Sequence, residues 1–154
     1  MYNKQNDRKG KVMDQSVGFL RRLGAVLLDG LIVFLPIGLI VSGLFQTDLN
    51  SLITNVIEGL YLLIVPVFWY GYVVGKKIMG IRIVKTNGKD VGMGTMLLRV
   101  VLSGLVYGLS FGVLYIVSAF FVAFRKDHRA IHDLFAGTYV TDAEPGEAAA
   151  LPDA

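Results

Sequence analysis

Two charged residues flank an apolar stretch at a spacing that could form an ion pair or a proton-exchange site. Arg22 precedes the run LGAVLL, and Asp29 follows it seven positions after the arginine. Seven residues are close to two helical turns, so both side chains project from nearly the same face of a helix. An aspartate within hydrocarbon costs about 3 kcal/mol, and it therefore needs a partner, a proton or contact with water. The sequence predicts that Asp29 either pairs with Arg22 or exchanges a proton for a cation.

Three further charged residues are candidates for the same site. Arg99 stands at the start of a later apolar block, and Asp133 follows the end of that block in the stretch HRAIHD. Both are expected at the membrane face where Arg22 lies. Glu58 lies inside another apolar block, near the opposite face, where an acid is more typically an interfacial residue. The expected site is Arg22, Asp29 and Asp133, with Glu58 and Arg99 as secondary candidates.

Other reactive side chains do not form a recognisable enzyme or metal site. His128 and His132 are four positions apart, a spacing that can hold a metal on a helix, but only Asp127 and Asp133 stand nearby as further ligands. The serines of the last apolar block have no base close in sequence, and the chain has no cysteine. We therefore expect no enzymatic activity, no bound metal and no cofactor.

Long apolar blocks without lysine or arginine dominate the chain. Apolar residues make up 54% of its 154 residues and charged residues 18%, with a mean hydropathy of +0.59. The blocks are Leu23–Phe45, Leu52–Val74 and Val100–Phe124. As a helix, the first block covers roughly 34 Å, enough to cross a hydrocarbon core of about 30 Å. We expect it to be an uncleaved first span, kinked at Pro36 or Gly38.

The distribution of basic residues predicts the topology. Residues 1–22 carry six Lys and Arg, residues 75–99 carry six and residues 125–129 carry three, whereas the loop at 46–51 has none. All three basic clusters prefer the cytoplasmic side of the membrane. Three plain spans would leave the last cluster outside, so an even number of crossings or a returning segment is expected.

Two structures are compatible with the third apolar block. A single long helix would align Gly104, Gly108 and Gly112 on one face as a packing stripe. A break at the centre would instead give two short helices of about 12–15 residues each, which reach only ~20 Å but return the chain to the cytoplasm. The second structure is favoured. The predicted fold class is an all-α integral membrane protein, a small helical bundle of three to four membrane segments: two full spans plus a broken or re-entrant helical hairpin.

A glycine-punctuated segment after the second block predicts a short cytoplasmic β-element. The stretch IRIVK at 81–85 alternates apolar and basic residues, and Asn87-Gly88 is a strong turn signal. FAGTYVT, at 135–141, is a second expected strand that could pair with the first. The predicted domains are a cytoplasmic N-terminal tail (1–16), a membrane domain (17–142) and a disordered tail (143–154).

The basic clusters also indicate which partners to expect. They flank apolar blocks, so their simplest partner is the lipid bilayer, with anionic lipids at the cytoplasmic face, and not a nucleic acid. Three to four membrane segments can enclose only a narrow pathway, so we expect the chain to form a homo-oligomer or to bind a membrane partner protein. A monovalent cation is the ligand that an exchanging Asp29 would take.

Three stretches, in this order, resemble the RDD family of bacterial membrane proteins, which is named for one arginine and two aspartates. RLGAVLLDG supplies Arg22 and Asp29. GKKIMGIRIVKTNGKDVGMGTMLLR resembles the middle of the family pattern and ends at Arg99. IHDLFAGTYV resembles its H-D-x-x-A-G-T-x-V ending, with Asp133 as the second aspartate. The resemblance covers about residues 17–141 and implies a multi-pass protein of the bacterial inner membrane with a cytoplasmic N-terminus. It also implies transport, with cation/proton antiport as the most concrete activity.

Two hypotheses about function follow. In the first, the chain is a small transporter or an antiporter subunit that uses an intramembrane Asp29 paired with Arg22. In the second, it is a non-transporting membrane scaffold or accessory protein, and the Arg/Asp network is structural. The two differ in whether Asp29 is ever released from its arginine.

Overall fold

The described part of the chain is mostly helical, as predicted. The computed structural model describes residues 16–44, 50–110, 113–148 and 150. Its helices are α1 (Phe19–Asp29), α2 (Leu35–Leu44), α3 (Asn50–Phe68), α4 (Val74–Ile78), α5 (Met93–Leu109), α6 (Val113–Phe124) and α7 (Ile131–Phe135). Its strands are β1 (Arg82–Lys85) and β2 (Thr138–Thr141).

Several predicted features lie outside the described residues. They are almost all of the N-terminal tail at 1–16, most of the loop at 46–51, Gly112 of the glycine series and the last part of the C-terminal tail.

The first apolar block forms one continuous helix with an irregular turn in the middle. Helices α1 and α2 are joined by a π-helical turn at Gly30–Phe34, which begins directly after Asp29. Pro36 has no backbone N–H and its ring crowds the preceding carbonyls, so the regular ladder cannot continue undisturbed into this turn. The irregularity therefore lies one turn before the kink expected at Pro36 or Gly38. Single π-turns of this kind often occur at functional sites.

Within the described residues, two helices are long and apolar enough to cross a membrane. They are Phe19–Leu44, with 26 residues, and Asn50–Phe68, with 19 residues. Only 17% and 6% of their most apolar stretches are buried inside the protein. A core helix of a soluble protein would be covered by other elements, whereas these helices present leucine, isoleucine and valine side chains outward. Such a surface suits lipid as its solvent.

The third apolar block divides into two helices instead of one. Helix α5 has 17 residues and α6 has 12, so they reach roughly 26 Å and 18 Å. Tyr107 of α5 donates a hydrogen bond to Ser118 of α6 at 2.9 Å, and its ring stacks on Tyr115 at a centroid distance of 3.9 Å. These contacts show that α6 folds back beside α5. Gly104 and Gly108 have open space where a Cβ would stand, so no helix that the structure describes packs against them.

The two strands pair at one end of the helices. β1 and β2 are antiparallel, with Arg82 opposite Thr141 and Lys85 opposite Thr138. The backbone N–H of Val17, just before α1, donates to the carbonyl of Val140. A small apolar core fills this end of the molecule; it consists of Val17, Ala25, Ile81, Ile83, Val91, Met96 and Val140. The start of α1, the end of α3 and the start of α5 therefore meet at the ribbon.

Arg82 connects the ribbon to the first residues of the predicted C-terminal tail. Its side chain is fully buried and donates to the carbonyl oxygens of Ala143, at 2.8 Å, and Glu144, at 2.9 Å. It also pairs with Asp90 at 2.6 Å. The chain just beyond β2 is thus held against β1.

Candidate functional site

Asp133 is the centre of a buried ion-pair cluster. Arg22 Nη1 donates to Asp133 Oδ2 at 2.7 Å, and Arg99 Nη1 donates to Asp133 Oδ1. The backbone N–H of Ala130 donates to Oδ2, and the hydroxyl of Thr138 donates to Oδ1. The carboxylate is fully buried. Burial alone would raise the pKa of Asp133, but the guanidinium groups of Arg99 and Arg22 outweigh it and hold that pKa well below its ordinary value.

Local structure explains why Asp133 can serve as this centre. It occupies the third position of the five-residue helix α7, so its carboxylate can turn back onto the free N–H at the helix start. Thr138 begins β2 directly after the turn that ends α7. Arg22 comes from the first turn of α1 and Arg99 from the second turn of α5. Three distant parts of the sequence are therefore joined at one carboxylate.

Asp29 is not part of this ion-pair cluster. Its Oδ1 accepts hydrogen bonds from the hydroxyl of Tyr61, at 3.0 Å, and from the backbone N–H of Gly75, at 2.7 Å. The Tyr61 hydroxyl accepts in turn from the N–H of Val74 at 2.9 Å. The predicted pair of Arg22 with Asp29 is therefore absent, because the Arg22 guanidinium points to Asp133 and to the carbonyl of Val17.

Helix α4 approaches Asp29 closely because of one glycine. A Cβ on Gly75 would lie 2.1 Å from the carbonyl oxygen of Ala25 and 2.8 Å from the backbone nitrogen of Asp29. No side chain fits there. The absence of a side chain brings the N–H of Gly75 onto the carboxylate, which is only 3% exposed.

A cavity of about 430 Å³ lies beside Asp29. Its described lining residues include one acid, Asp29, and three basic residues, Lys76, Arg99 and His132. The remaining lining residues are mainly apolar or aromatic: Val26, Phe34, Leu62, Pro66, Val73, Ile83, Met96, Val100, Ser103, Gly104, Tyr107 and Tyr115. A concave, mostly apolar space with a few convergent polar groups is typical of small-molecule sites.

Arg99 and His132 form a polar chain along one wall of the cavity. Arg99 Nη2 lies 2.9 Å from His132 Nε2, and His132 Nδ1 lies 2.6 Å from the Tyr107 hydroxyl. A guanidinium can only donate, so Nε2 must accept and the proton of the imidazole must be on Nδ1. His132 then donates to Tyr107, and Tyr107 donates to Ser118. Burial and the charge of Arg99 lower the pKa of His132 to about 3, so the ring is neutral at pH 7.

Lys76 is the cavity residue with an uncommitted charge. Its Nζ makes no hydrogen bond or ion pair with any part of the chain that the structure describes. Lys76 lines the cavity, and burial together with the charge of Arg99 lowers the pKa of Lys76 to about 8. The neighbouring Lys77 is exposed and lies over the ring of Tyr72 at 4.0 Å.

The predicted site residues therefore separate into two groups. Arg22, Arg99 and Asp133 meet in the ion-pair cluster, and Arg99 also reaches the cavity that Asp29 lines. Glu58 is half-buried in α3 and has no hydrogen bond or ion pair with the described residues of either group.

The predicted histidine pair is also divided. His132 contacts Arg99 and Tyr107, whereas His128 faces the carbonyl of Val122. Among the described residues, no group of three or more metal-ligating side chains comes together.

Sequence reasoning missed Tyr61, Gly75 and Lys76. A tyrosine in the middle of an apolar span carries no signal of what its hydroxyl contacts. Gly75 and Lys76 belong to the stretch GKK, and a basic run directly after an apolar block predicts charge at the membrane surface. The one available signal was that a basic pair directly follows an apolar block, so that one lysine could turn back into the protein.

The comparisons agree with the resemblance seen in the sequence. The profile of the RDD family matches residues 16–137. A protein of Bacillus subtilis (strain 168), named Uncharacterized protein YckC, is 50% identical over 131 residues, which cover 84% of this chain and 87% of that protein. No solved structure matches the chain.

Two outward-facing apolar helices and a buried Arg–Asp cluster at one end of them define a helical membrane protein. The chain belongs to the RDD family, and the predicted family membership is confirmed.

Proposed function

We propose that this protein is a small membrane transporter that exchanges a monovalent cation for a proton at Asp29. One observation carries the proposal: Asp29 lines the cavity, and its Oδ2 has no hydrogen bond or ion pair with the described residues. A carboxylate held permanently by an arginine would be a poor exchange site. Here the arginines are committed to Asp133, so Asp29 has an oxygen available for a proton or a cation.

The surroundings of Asp29 support this division of roles. Tyr61 and Gly75 both hold the carboxylate through Oδ1, so the group keeps one orientation and Oδ2 stays free of these donors. The π-helical turn directly after Asp29 interrupts the regular ladder at the same level, and such irregular backbone is tolerated at membrane depth where it lines a cavity. The chain's own residues thus bind, orient and desolvate one exchangeable carboxylate.

The proposed topology is a multi-pass protein of the bacterial cell membrane with a cytoplasmic N-terminus. The start of α1, the β-ribbon and α7 lie together, and these are the regions that carry or adjoin the three basic clusters. The positive-inside rule assigns that end to the cytoplasm, facing anionic lipids. Helices α5 and α6 form the proposed re-entrant hairpin.

The proposed assembly is a homo-oligomer or a complex with another membrane protein, without enzymatic activity. Leu105, Leu109 and Ile116 are more than half exposed on the hairpin, and the adjacent Gly104 and Gly108 leave room for a close helix contact. Such a contact would add helices around the small cavity of one chain.

A flux assay tests the proposal. The purified protein is reconstituted in liposomes that contain a pH-sensitive dye, and a sodium or potassium gradient is imposed. We expect cation-driven proton flux that Asp29→Asn lowers by more than about tenfold, equivalent to ~1.4 kcal/mol in the barrier. The matched control is Glu58→Gln, which removes the other acid of the two long helices and should leave the flux unchanged. Absence of flux from the wild type, or full flux from Asp29→Asn, would overturn the proposal.

A second candidate function is a non-transporting membrane scaffold. The buried Arg22–Asp133–Arg99 cluster favours it, because these ion pairs join α1, α5 and α7. In that case Asp29→Asn would change the amount of folded protein and no flux would be seen from any variant.

A further inference from the structure

The size of the cavity exceeds what a bare monovalent cation needs. Its volume of about 430 Å³ falls in the range of roughly 300–1,000 Å³ that is typical of small-molecule sites. Apart from Asp29, the described lining residues offer only the hydroxyl groups of Ser103, Tyr107 and Tyr115 as side-chain oxygens.

Two opposite charges face this cavity without being paired to each other. Asp29 and Lys76 both line it, and neither Asp29 Oδ2 nor Lys76 Nζ has a hydrogen bond or ion pair with the described residues. Gly75, which precedes Lys76, donates its N–H to Asp29 Oδ1. The two charges are near enough for Asp29 to act electrostatically on Lys76, yet no ion pair joins them in the described chain. An uncompensated charge in a mostly apolar site is costly, so a ligand that carries both complementary charges would be favoured.

Arg99, another cationic side chain of the described cavity wall, already has hydrogen-bond partners. Arg99 donates to Asp133, to Thr138 at 2.6 Å and to His132 at 2.9 Å. His132 is neutral and its two ring nitrogens are both used. Among the described residues of the wall, Lys76 is therefore the cation that remains for an anionic group of a ligand. The stacked rings of Tyr107 and Tyr115, with Phe34, offer an apolar and aromatic surface for the rest of the ligand.

We infer that the cavity binds a small organic zwitterion, with its ammonium group on Asp29 and its carboxylate on Lys76. The apolar or aromatic body of the ligand lies against Tyr107, Tyr115 and Phe34. This inference deepens the proposed function and rests on one part of it, the availability of Asp29 Oδ2 to a cationic group. Lys76 is then the residue that selects ligands with an anionic group.

Three matched probes test the inference by calorimetry on the purified protein in nanodiscs. Phenylalanine carries both charges, phenethylamine only the ammonium and 3-phenylpropionate only the carboxylate. We expect phenylalanine to bind roughly 10- to 100-fold more tightly than either single-charge probe, as one charge-assisted hydrogen bond predicts. Equal affinities for all three probes, or no binding of phenylalanine, would overturn the inference.

Substitution of Lys76 and substitution of Asp29 should each abolish a different one of the two binding preferences, which we call the crossed pattern. Lys76→Met should abolish the preference for phenylalanine over phenethylamine. Asp29→Asn should abolish the preference for phenylalanine over 3-phenylpropionate. Lys76→Gln, which keeps a polar group, serves as the second variant if Lys76→Met does not fold. The matched control is Lys77→Met, which removes the adjacent but exposed lysine and should keep both preferences. Loss of preference in Lys77→Met, or its retention in both Lys76 variants, contradicts the assignment.

Failure of this inference is distinguishable from failure of the proposed function. If phenylalanine does not bind but Asp29-dependent proton flux driven by sodium or potassium is present, only the zwitterion assignment fails. If that flux is absent and phenylalanine binds with the crossed pattern, the inorganic cation exchange fails and the cavity assignment stands.

Discussion

Arg22 Nη1 and Asp133 Oδ2 are 2.7 Å apart, although 111 residues of chain separate them. The arginine belongs to the first turn of α1, and the aspartate belongs to the short helix before β2. Their contact therefore joins the beginning of the first long helix to α7, which lies near the end of the described chain. Arg99 binds the other oxygen of the same carboxylate, so two guanidinium groups share one carboxylate.

Asp133→Asn should destabilise the protein strongly. The change leaves Arg22 and Arg99 buried without a counter-charge, and breaking a buried ion pair in this way costs about 3–5 kcal/mol. The measurement is the melting temperature in detergent, together with the yield of folded protein. The matched control is Asp142→Asn, since Asp142 pairs with Arg21 in a contact where both side chains are more than 40% exposed; that change should cost less than ~1 kcal/mol. Similar losses in both variants would contradict a special role for Asp133.

The main elements of the fold were predictable because apolar blocks and basic clusters are local features of the sequence. The two long helices follow directly from uncharged stretches, and the division of the third block follows from the requirement that its basic end return. The pairing of IRIVK with GTYVT then follows from their position at one end. The π-helical turn at Gly30–Phe34 was not predictable, because Pro36 indicates a disturbance but not the form it takes.

The sequence allows several residues of the site to be predicted, but it does not show which of them contact one another. Helical spacing places Arg22 and Asp29 near one face, and it says nothing about a carboxylate that arrives from position 133. Asp133 offers Arg22 a fully buried partner at the end of the helices, whereas Asp29 lies two turns further along. The donors that Asp29 receives come from α3 and from the backbone of α4. A backbone N–H exists at almost every position, so sequence alone cannot select Gly75.

Gly75→Ala should separate α4 from α1. The new Cβ would lie 2.1 Å from the carbonyl of Ala25, which no rotamer relieves, so the backbone must move and the hydrogen bond to Asp29 is lost. We expect a loss of about 2–4 kcal/mol, within the range of strongly destabilising substitutions, measured as a lower melting temperature. The matched control is Gly108→Ala, where nothing lies within 4 Å of the added Cβ; in a helix this change should be neutral or stabilising by up to ~1 kcal/mol. Equal melting temperatures for the two variants would contradict the close approach of α4.

His132 should make the protein less stable in mild acid. Its pKa in the folded protein is lowered to about 3, whereas the unfolded chain takes up this proton near pH 6.5. Below about pH 6.5 the unfolded state therefore binds more protons, and the free energy of unfolding falls by up to ~1.4 kcal/mol per pH unit as the pH decreases toward the folded-state pKa. Above pH 6.5 the contribution is fully present.

Melting temperatures of wild type and His132→Gln between pH 7.5 and 5 measure this effect. The glutamine cannot take up the proton, so the variant should lose the acid-dependent part of the decline. His128→Gln is the control, because it leaves the bonds of His132 to Arg99 and Tyr107 intact and should retain the wild-type decline. An unchanged slope in His132→Gln would mean that another group is responsible.

Lys76 should react with amine-selective reagents at an unusually low pH. Burial and the charges of Arg99 and Arg22 disfavour its ammonium form, Asp29 and Asp133 oppose them, and the resulting pKa is about 8. The neutral amine therefore appears two pH units below the ordinary lysine value of about 10.4. Brief labelling with a small acid anhydride at a series of pH values, followed by mass spectrometry of the peptide with Lys76, gives the midpoint. A midpoint near 10 would show that the ammonium is solvated and that the cavity does not desolvate it.

Tyr61→Phe should loosen Asp29 without removing its charge. The Tyr61 hydroxyl donates to Asp29 Oδ1 and accepts from the N–H of Val74, so its loss removes one of two donors to the carboxylate and leaves a backbone donor unpaired. We expect a destabilisation of about 1–3 kcal/mol and weaker cation-driven flux, because Asp29 no longer keeps one orientation. Tyr70→Phe is the control, since the side chain of Tyr70 is 56% exposed and its hydroxyl has no role in the site. If Tyr61→Phe lowers stability but leaves flux per folded molecule unchanged, the hydrogen bond is structural, and the orientation of Asp29 is set by Gly75 alone.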